Sequence, residues 1–441
     1  MTQCLASWGR YPKATPAKVT RLTNRDAPLP ESDLPLLVFG NGRSYGDVCL
    51  NDGGHLLLGR GLDRFIAFDA EQGILRAEAG VLLSEILDLI VPKVWFLPVT
   101  PGTRFVTLGG AVANDVHGKN HHRAGTFGHH VRAFELVRSD GSRRLCSSTE
   151  NPDWFAATIG GLGLTGLITW VEIQLRAIEG PWIQAESRRF ANLSEFFALS
   201  AAADREQEFT VAWVDCAASG KHIGRGILLS GDFAPASAGN GQRPKAHGLL
   251  NVPFTPPVSL INPLSLRVFN ALYYRKPEGR FLTHYEPFFY PLDAIGHWNR
   301  IYGPRGFLQY QCVLPPAVAE PALSELLARI ARSGQGSFLA VLKRFGNKPA
   351  LGMLSFPRPG VTIALDFPML GERTLWVMYK LDVVVAEAGG ALYPAKDSRM
   401  SYSLFRCSFQ FLDRILPFFD KDFISDFQKR VFIGKCKLYQ R

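Results

Sequence analysis

Histidines cluster in one short stretch of this 441-residue chain, where five of the ten in the sequence fall between residues 117 and 130. They are His117, His121, His122, His129 and His130. A glycine-rich run at residues 101–110 precedes them. Imidazole nitrogens bind metals or hydrogen-bond to ligands, and glycine lets backbone N–H groups approach a ligand closely. The stretch therefore indicates either a metal centre or a site for a large anionic cofactor.

Metal coordination is the weaker of these two hypotheses. A metal needs ligands that converge on one point, commonly with Asp, Glu or Cys among them. His121 and His122 are sequence neighbours, as are His129 and His130, so only one of each pair is expected to face a given point. The nearby sequence offers a single carboxylate, Asp115. We therefore expect contacts to a cofactor, or buried imidazoles with their own partners, and we assign no metal ligand.

A second glycine cluster, residues 40–47 (Gly-Asn-Gly-Arg-Ser-Tyr-Gly-Asp), follows a short apolar segment that predicts a strand. Three glycines in seven residues permit positive φ angles, so successive N–H groups can converge on a pyrophosphate. A tight turn without a ligand is the alternative. Residues 161–166 match G-x-G-x-x-G, but an alternating strand is predicted after them, at 168–176, where a Rossmann unit needs a helix. We therefore reject a Rossmann unit.

Lys396 lies in the segment Ala-Lys-Asp-Ser-Arg at residues 395–399, shortly after the aromatic Tyr393. A buried lysine beside an aromatic ring can stabilise a developing anion. A helix start capped by Asp397 or Ser398 would explain the same residues. The segment alone leaves both hypotheses open.

The spacing of apolar residues predicts the elements that must position these motifs. We expect strands at 36–39, 65–68, 74–77, 168–176 and 338–342, and helices at 81–91, 322–333 and 374–388. Residues 231–248, rich in Gly, Pro, Ala and Ser, predict a mobile loop. Residues 249–274 are apolar, broken by prolines and flanked by Arg275 and Lys276. We expect this segment to be core, with an exposed lid that meets lipid as the alternative.

Composition narrows the classes of function. The net charge of +10, from 49 Lys and Arg against 39 Asp and Glu, favours anionic partners. The charge is scattered, so we expect no nucleic-acid partner. Seven widely spaced cysteines without a C-x-x-C pair indicate reduced thiols. The sequence has no apolar run long enough to predict a transmembrane helix and no segment that resembles a signal peptide. We therefore expect a cytoplasmic protein or one peripheral to the inner membrane.

Taken in order, the motifs resemble the FAD-linked oxidases related to vanillyl-alcohol oxidase and the aldonolactone oxidases. Within that family the likeness is to the branch that oxidises polyprenylphosphoryl pentoses. The motifs of the flavin-binding half lie at residues 42–47, 101–104, 109–111, 117–122, 125–128 and 161–166. Those of the substrate half lie at residues 288–293, 306–311, 343–346, 366–368 and 395–399. The likeness covers nearly the whole chain apart from residues 181–280.

The resemblance implies an α+β, two-domain fold of the FAD-linked oxidase type. Residues 1–180 would form a PCMH-type FAD-binding domain with two small sheets. Residues 181–390 would form a substrate-binding domain on an antiparallel sheet. Residues 391–441 would return to the FAD-binding domain.

The resemblance also implies FAD and its contacts. Many relatives attach the flavin through a His in the glycine cluster at residues 40–47, which we call the first glycine loop. This chain has Tyr45 there, so the flavin should be non-covalent. The implied cofactor-binding residues are Gly40, Asn41, Gly42, Arg43, Ser44, Tyr45, Gly46, Gly102, Thr107, Leu108, Gly109, Gly110, His117, Gly118, Lys119, Asn120, Ile168 and Tyr393. The implied catalytic residues are Lys396, His117, Gln309 and Gln311, and the implied substrate-binding residues are Arg300, Gln309, Gln311, Lys343 and Lys396.

The activity implied is oxidation of the 2′-OH of a polyprenylphosphoryl pentose, such as decaprenylphosphoryl-ribose, to the 2′-keto sugar. This would be the first half of an epimerisation that supplies cell-wall arabinan precursors. A quinone or O₂ would reoxidise the flavin, a short-chain reductase would act as partner, and the lipid tail would suit the apolar segment at 249–274 and a peripheral membrane contact. Ribose oxidases of the family carry a cysteine two residues before Asp-Phe-Pro, where this chain has Ala364, so the pocket shape differs.

Three other functions compete with this one. An aldonolactone or alditol oxidase would act on a soluble sugar. A carbohydrate- or lipid-binding module would keep only a relic flavin fold. A metal-binding protein would use the histidines of residues 117–130 as ligands.

Overall fold

The computed structural model describes residues 5–239, 250–410 and 412–433. The strands, in chain order, are β1 Lys18–Arg21, β2 Leu36–Phe39, β3 His55–Leu58, β4 Phe65–Asp69, β5 Ile74–Glu78, β6 Trp95–Phe96, β7 Val131–Val137, β8 Arg143–Ser147, β9 Leu167–Gln174, β10 Arg176–Ala177, β11 Trp182–Phe190, β12 Phe209–Val214, β13 Gly226–Phe233, β14 Leu250–Asn251, β15 Gly279–His284, β16 Ile295–Gly296, β17 Phe307–Leu314, β18 Val341–Phe345, β19 Gly360–Pro368 and β20 Ala391–Leu392. The helices are α1 Leu83–Ile90, α2 Leu108–Ala113, α3 His121–Ala124, α4 Pro152–Thr158, α5 Leu193–Glu206, α6 Pro263–Tyr274, α7 Tyr285–Phe289, α8 Ala319–Ser333, α9 Glu372–Glu387, α10 Tyr402–Ser408, α11 Leu412–Ile415 and α12 Asp426–Gln428. Short 3₁₀ turns connect many of them.

Two sheets form in the N-terminal part of the chain, as the resemblance implies. β1, β3 and β2 make a parallel sheet, in that order, and β4-β5-β9-β7-β8 make an antiparallel one. α1 covers the antiparallel sheet because Leu83, Ile86, Leu87 and Ile90 lie on its buried face. The predicted strands at 36–39, 65–68, 74–77 and 168–176 and the predicted helix at 81–91 are confirmed.

An eight-stranded antiparallel sheet follows, in the order β15-β11-β13-β12-β18-β19-β17-β20. Along β17 the side chains alternate between its two faces. Leu308, Tyr310, Cys312 and Leu314 join the core that α8 and α9 complete, while Gln309 and Gln311 point to the other face. The predicted helices at 322–333 and 374–388 are α8 and α9. The mixture of helices with antiparallel sheets agrees with the expected α+β class, while the domain boundaries stay a prediction.

The C-terminal residues pack against the N-terminal sheets. Backbone hydrogen bonds run from Leu36 N–H to the Asp422 carbonyl at 2.6 Å and from Ile424 N–H to the Leu36 carbonyl at 2.8 Å. Phe423 is fully buried beside Leu36 and Leu57. The end of the described chain therefore lies beside the first glycine loop.

Three local predictions need correction, and for the loop at 231–248 only the first residues are tested. The strand expected at 338–342 begins only at Val341, while Phe338 lies before it and packs on Phe269 with ring centroids 4.6 Å apart. The loop expected at 231–248 begins later, because β13 continues to Phe233 and a 3₁₀ turn occupies Ala236–Gly239. Residues 240–248 lie outside the described residues.

The third correction concerns the segment 249–274, which we expected to be core. Leu250 is 72 % exposed, Phe254 67 % and Leu264 73 %. Among the contacts of the described residues, α6 buries one face, through Leu266 and Asn270. Both faces of this segment are apolar, so its composition cannot distinguish the buried face from the exposed one.

Candidate active site

A cavity of about 490 Å³ lies between the N-terminal glycine loops and the large sheet. The predicted residues in its wall are Gly40, Asn41, Gly42, Arg43, Ser44, Tyr45, Gly102, Thr107, Gly109, Gly110, His117, Ile168, Gln309, Gln311, Lys343, Tyr393 and Lys396. Most of the residues that the family resemblance singled out, though far apart in sequence, therefore meet around one space.

The polar wall of the cavity comes from three adjacent strands of the large sheet. Gln309 of β17 pairs with Asp366 of β19, and Gln311 pairs with Ala364. Lys343 of β18 pairs with Thr362, two residues before Ala364. Because directly paired residues of antiparallel strands share a face, all of these side chains point the same way.

Hydrogen bonds fix the two glutamines within this wall. The Nε2 atom of Gln309 donates to Asp366 Oδ1 at 2.7 Å. The Nε2 atom of Gln311 lies 3.1 Å from His117 Nε2 and 3.3 Å from Thr362 Oγ1. Since each amide nitrogen is directed at a protein acceptor, each amide oxygen remains to accept a hydrogen bond from a ligand.

The turn that carries Lys396 follows β20 and lies against the first glycine loop. The Tyr45 N–H donates to the Ala395 carbonyl at 3.0 Å, and Lys396 Nζ lies 3.7 Å from the centre of the Tyr45 ring. A side chain at Gly46 would bring its Cβ within 1.6 Å of the Asp397 carbonyl oxygen. Glycine at position 46 therefore allows the close approach that places Tyr45 beside Lys396.

Asp397 anchors this turn and does not cap a helix. Its carboxylate accepts the N–H groups of Arg399 and Met400 at 3.0 and 2.7 Å, while α10 begins at Tyr402 with Ser401 as its cap. The helix-cap hypothesis for Asp397 and Ser398 is therefore wrong. The Asp397 carboxylate also accepts a hydrogen bond from Arg430 at 3.0 Å.

Arg430 ties the Lys396 turn to the first glycine loop. Its guanidinium donates to both oxygens of Asp47 at 2.8 Å in addition to Asp397. Both carboxylates are almost fully buried. One C-terminal cation therefore holds together two segments that lie about 350 residues apart in sequence.

Lys396 and Asp366 influence each other's ionisation. Burial lowers the pKa of Lys396 to about 7, which the negative charge of Asp366 opposes and the positive charge of Lys343 reinforces. Burial raises the pKa of Asp366 to about 7, which the Gln309 hydrogen bond, the Lys396 charge and the Tyr302 hydroxyl oppose. Each group can therefore gain or lose a proton near neutral pH, which is typical of acid–base sites.

His117 is held as a neutral imidazole. Burial lowers its pKa well below the ordinary value, and the neighbouring Lys343, His121 and Lys396 groups lower it further. Because Gln311 donates to Nε2, the proton of the ring is on Nδ1. The ring packs edge-on against Phe345, with centroids 4.9 Å apart.

The other histidines of the cluster have separate hydrogen-bond partners. His121 Nδ1 accepts the Gly346 N–H at 3.1 Å. His122 Nε2 lies 3.1 Å from the Gln207 carbonyl, and His130 Nε2 lies 3.0 Å from the Ala124 carbonyl. His129 Nδ1 accepts the Thr126 N–H at 3.0 Å. Within residues 5–239, 250–410 and 412–433, no group of three His, Cys, Asp or Glu side chains could hold a metal ion.

The cavity wall fits a long, polar, anionic ligand such as FAD. Three of its residues carry buried polar atoms without a hydrogen-bond partner in the described chain: Arg43 Nε, Asn114 Oδ1 and His117 Nδ1. Each such atom costs about 1–3 kcal/mol when left unpaired, and a bound polar cofactor removes that cost. Arg43 lies 4.0 Å from the Trp8 ring centre, where its guanidinium faces the cavity as a fixed positive charge.

Six predicted residues do not line this cavity. Gly46 lies against the Asp397 backbone, Leu108 is fully buried in the core, and Gly118 lies against the Thr100 backbone. Asn120 donates to the Pro98 carbonyl at 2.9 Å. The remaining two residues are Lys119 and Arg300.

Both of these cations are engaged elsewhere in the structure. Lys119 Nζ donates to the Phe289 carbonyl at 3.1 Å, and burial lowers the pKa of this amine to about 7. Arg300 donates to the carbonyls of Val252 and Pro253 at 2.8 and 2.9 Å. In this structure the Arg300 side chain holds the 250–254 backbone, and its contact with a substrate stays a prediction.

Sequence reasoning missed Asp366, Tyr302 and Asn114. The motif at 366–368 contributed to the resemblance, but no role was given to its acid. Tyr302 donates to Asp366 Oδ2 at 3.2 Å. An aspartate inside an otherwise apolar strand, with Leu365 and Phe367 on either side, is the signal that could have identified it.

Comparisons with known proteins agree with this geometry. Residues 17–147 match the family model described as FAD binding domain. The chain is 35 % identical to the decaprenylphosphoryl-beta-D-ribose oxidase of Mycolicibacterium smegmatis, over 98 % of this chain and 97 % of the relative. It is 30 % identical to mouse L-gulonolactone oxidase over 31 % of each chain. Human Delta(24)-sterol reductase is 33 % identical over 24 % of this chain and 21 % of the relative.

These matches establish the cofactor and the class of reaction. FAD is the cofactor, and the protein is an FAD-dependent oxidoreductase that acts on CH–OH groups. The chain belongs to the family of FAD-linked oxidases that includes the decaprenylphosphoryl-beta-D-ribose oxidase of Mycolicibacterium smegmatis.

Proposed function

We propose that the protein oxidises the 2′-OH of a polyprenylphosphoryl pentose, such as decaprenylphosphoryl-ribose, to the 2′-keto sugar. The similarity to decaprenylphosphoryl-beta-D-ribose oxidase along nearly the whole chain is the observation that carries this proposal. The similarity includes the large sheet, which supplies Gln309, Gln311 and Asp366 to the cavity wall. Similarity limited to the flavin-binding half would support the cofactor but would not indicate a substrate.

Oxidation of a secondary alcohol removes a hydride from carbon and a proton from oxygen. Bound FAD supplies the hydride acceptor. The neutral amine of Lys396 accepts the hydroxyl proton, and the resulting ammonium stabilises the negative charge that the reaction leaves in the site. A pKa of about 7 lets this side chain take both forms at neutral pH.

The wall of the large sheet orients the sugar. Gln309 and Gln311 have their amide nitrogens held by Asp366 and His117, so their amide oxygens accept hydrogen bonds from sugar hydroxyls. Asp366 receives two hydrogen bonds and acts as a positioning residue for Gln309 and as a negative charge near Lys396.

Charge in the cavity suits phosphate-bearing ligands. Arg43 and Lys343 both line the wall, and fixed cations stabilise the phosphates of cofactor and substrate. The 2′-keto product then requires a partner reductase that delivers hydride from the opposite face to complete an epimerisation. A quinone or O₂ would serve as the final electron acceptor.

Anaerobic flavin reduction by a panel of sugars tests this proposal. The flavin absorbance of the purified holoenzyme should bleach with farnesylphosphoryl-ribose or a longer homologue, and mass analysis should find a product lighter by two hydrogens. Free ribose and ribose 5-phosphate should bleach it far more slowly, since they lack the polyprenyl tail. Equal rates with and without the tail would overturn the proposed substrate class.

An aldonolactone or alditol oxidase is the second candidate function. The match to L-gulonolactone oxidase favours it, although that match covers only 31 % of each chain. The same panel distinguishes the two functions when it includes gulonolactone and xylitol. Rapid bleaching by either compound, without bleaching by the lipid-linked ribose, would establish this alternative.

A further inference from the structure

The helix α6 presents apolar side chains to solvent. Leu264, Val268 and Leu272 recur every four residues and are 73 %, 52 % and 63 % exposed. The opposite side of the helix already packs on the protein, through Leu266 and Asn270. A surface helix normally directs charged and polar residues outward, so the outer stripe of α6 is the reverse of the usual pattern.

The segment that leads into α6 also exposes apolar side chains. Leu250, Phe254, Val258 and Leu260 are all more than half exposed. We call these four residues together with Leu264, Val268 and Leu272 the apolar face.

One end of the apolar face lies beside the wall of the active-site cavity. β14 pairs in parallel with β16, so Leu250 lies opposite Ile295 and Asn251 opposite Gly296. Residues 295–298 line the cavity. The Leu260 N–H donates to the Ile301 carbonyl at 2.9 Å, which holds the start of α6 against the same strip. A lipid tail that left the cavity beside residues 295–298 would therefore meet the apolar face.

Positive charge surrounds the apolar face. Arg267 lies in α6 beside Val268, and Arg275 and Lys276 directly follow the last residue of the helix. All three side chains are exposed. Within the described chain neither Arg267 nor Arg275 forms an ion pair, so both are available to an anionic surface.

We propose that the apolar face docks the protein onto an anionic lipid bilayer, with Leu264, Val268 and Leu272 inserted among the acyl chains and the basic residues at the headgroups. The benefit of this docking rests on the proposed function, because a lipid-linked sugar would pass from the bilayer into the adjoining cavity. A helix with an apolar stripe and flanking Lys or Arg binds at a membrane interface in this way. A second copy of the chain is a poorer occupant, since a twofold contact would bring the basic rims together.

Sedimentation with lipid vesicles tests the docking without any substrate. The FAD-loaded protein should bind vesicles of phosphatidylcholine mixed with phosphatidylglycerol and bind phosphatidylcholine alone much less. The variant L264Q/V268Q/L272Q should bind the mixed vesicles at least about tenfold more weakly. The variant R267Q/R275Q should lose about fivefold per removed charge, and only on the anionic vesicles.

A matched triple variant controls for a general loss of surface apolarity. Val19, Phe65 and Leu145 are 42 %, 42 % and 39 % exposed in the N-terminal sheets, far in sequence from the apolar face. The variant V19Q/F65Q/L145Q should bind vesicles as the unmodified protein does. Unchanged FAD content and thermal midpoints verify that every variant is folded.

Vesicle binding that L264Q/V268Q/L272Q retains in full, or no binding by the unmodified protein, would overturn the proposal. A dimer in solution that this variant converts to a monomer, without vesicle binding, would assign the apolar face to a second copy instead. Failure of the proposed function gives a different result: vesicle binding stays intact while lipid-linked ribose leaves the flavin oxidised. If the protein does not bind vesicles but the proposed function is correct, it will still oxidise a detergent-dispersed substrate at an unchanged rate.

Discussion

Replacement of Lys396 by alanine tests its proposed role as proton acceptor. With a pKa lowered from 10.5 to about 7, roughly half of the Lys396 side chains are neutral at pH 7. A lysine with an ordinary pKa would be neutral in fewer than about one molecule in a thousand. Since loss of a positioned acid–base group costs about 10²–10⁴ in rate, Lys396→Ala should slow flavin reduction about 10³-fold while FAD stays bound.

The assay is anaerobic stopped-flow reduction of the bound flavin across a range of pH. In the unmodified protein the rate should rise with pH and level off above about pH 7, because the Lys396 amine must be neutral to accept a proton. Asp366→Asn should move this profile to lower pH, because the negative charge of Asp366 raises the pKa of Lys396. The exposed Lys221→Ala serves as a control and should leave rate and profile unchanged.

Two results would refute this account of Lys396. Reduction of Lys396→Ala at the unmodified rate, with a full complement of FAD, would show that the amine takes no part in the reaction. A shift of the Asp366→Asn profile to higher pH would show that the two groups do not interact as the structure indicates.

Three further predictions concern stability, pocket shape and flavin attachment. Arg430→Ala leaves the buried carboxylates of Asp47 and Asp397 without their shared cation, so urea unfolding should show a loss of about 3 kcal/mol; an unchanged midpoint would contradict the anchoring role. Ala364→Leu adds bulk to the cavity wall and should raise the KM for lipid-linked ribose roughly tenfold or more at unchanged FAD content, and an unchanged KM would place the sugar elsewhere. With Tyr45 in place of a histidine, acid precipitation should leave the flavin in the supernatant, whereas flavin in the pellet would reveal a covalent bond.

Local patterns in the sequence predicted many of the elements. The apolar stripe of α1 and the alternating apolar and polar residues of β9 are repeats that can be seen within one short segment of the sequence. The strand predicted after residues 161–166 was also sufficient to reject a Rossmann unit, and the structure has β9 there, beginning at Leu167.

The arrangement of the active site depends on pairings that no local pattern encodes. Gln309 and Asp366 lie 57 residues apart and meet only because β17 pairs with β19 in one register. A shift of that register by one residue would turn Asp366 away from the cavity. The family resemblance supplied Gln309 and Lys396, but the role of Asp366 emerged only from the paired strands.

The segment 249–274 shows a second limit of sequence reasoning. Apolar residues occupy both sides of α6, and composition favoured burial for all of them. The structure buries Leu266 and leaves Leu264 and Val268 exposed, because only one face of the helix meets the protein. Which face remains exposed is decided by the neighbours, such as Phe338 on Phe269, and these are distant in sequence.

Hydride transfer from C2 of a lipid-linked pentose is the central claim, and a kinetic isotope effect tests it most directly. The measurement is anaerobic flavin reduction with farnesylphosphoryl-ribose that carries deuterium at C2, compared with the unlabelled compound. We predict that deuterium at C2 slows bleaching several-fold, while deuterium at C3 leaves the rate unchanged. Bleaching that responds only to deuterium at another carbon, or no bleaching by this substrate, would contradict the account.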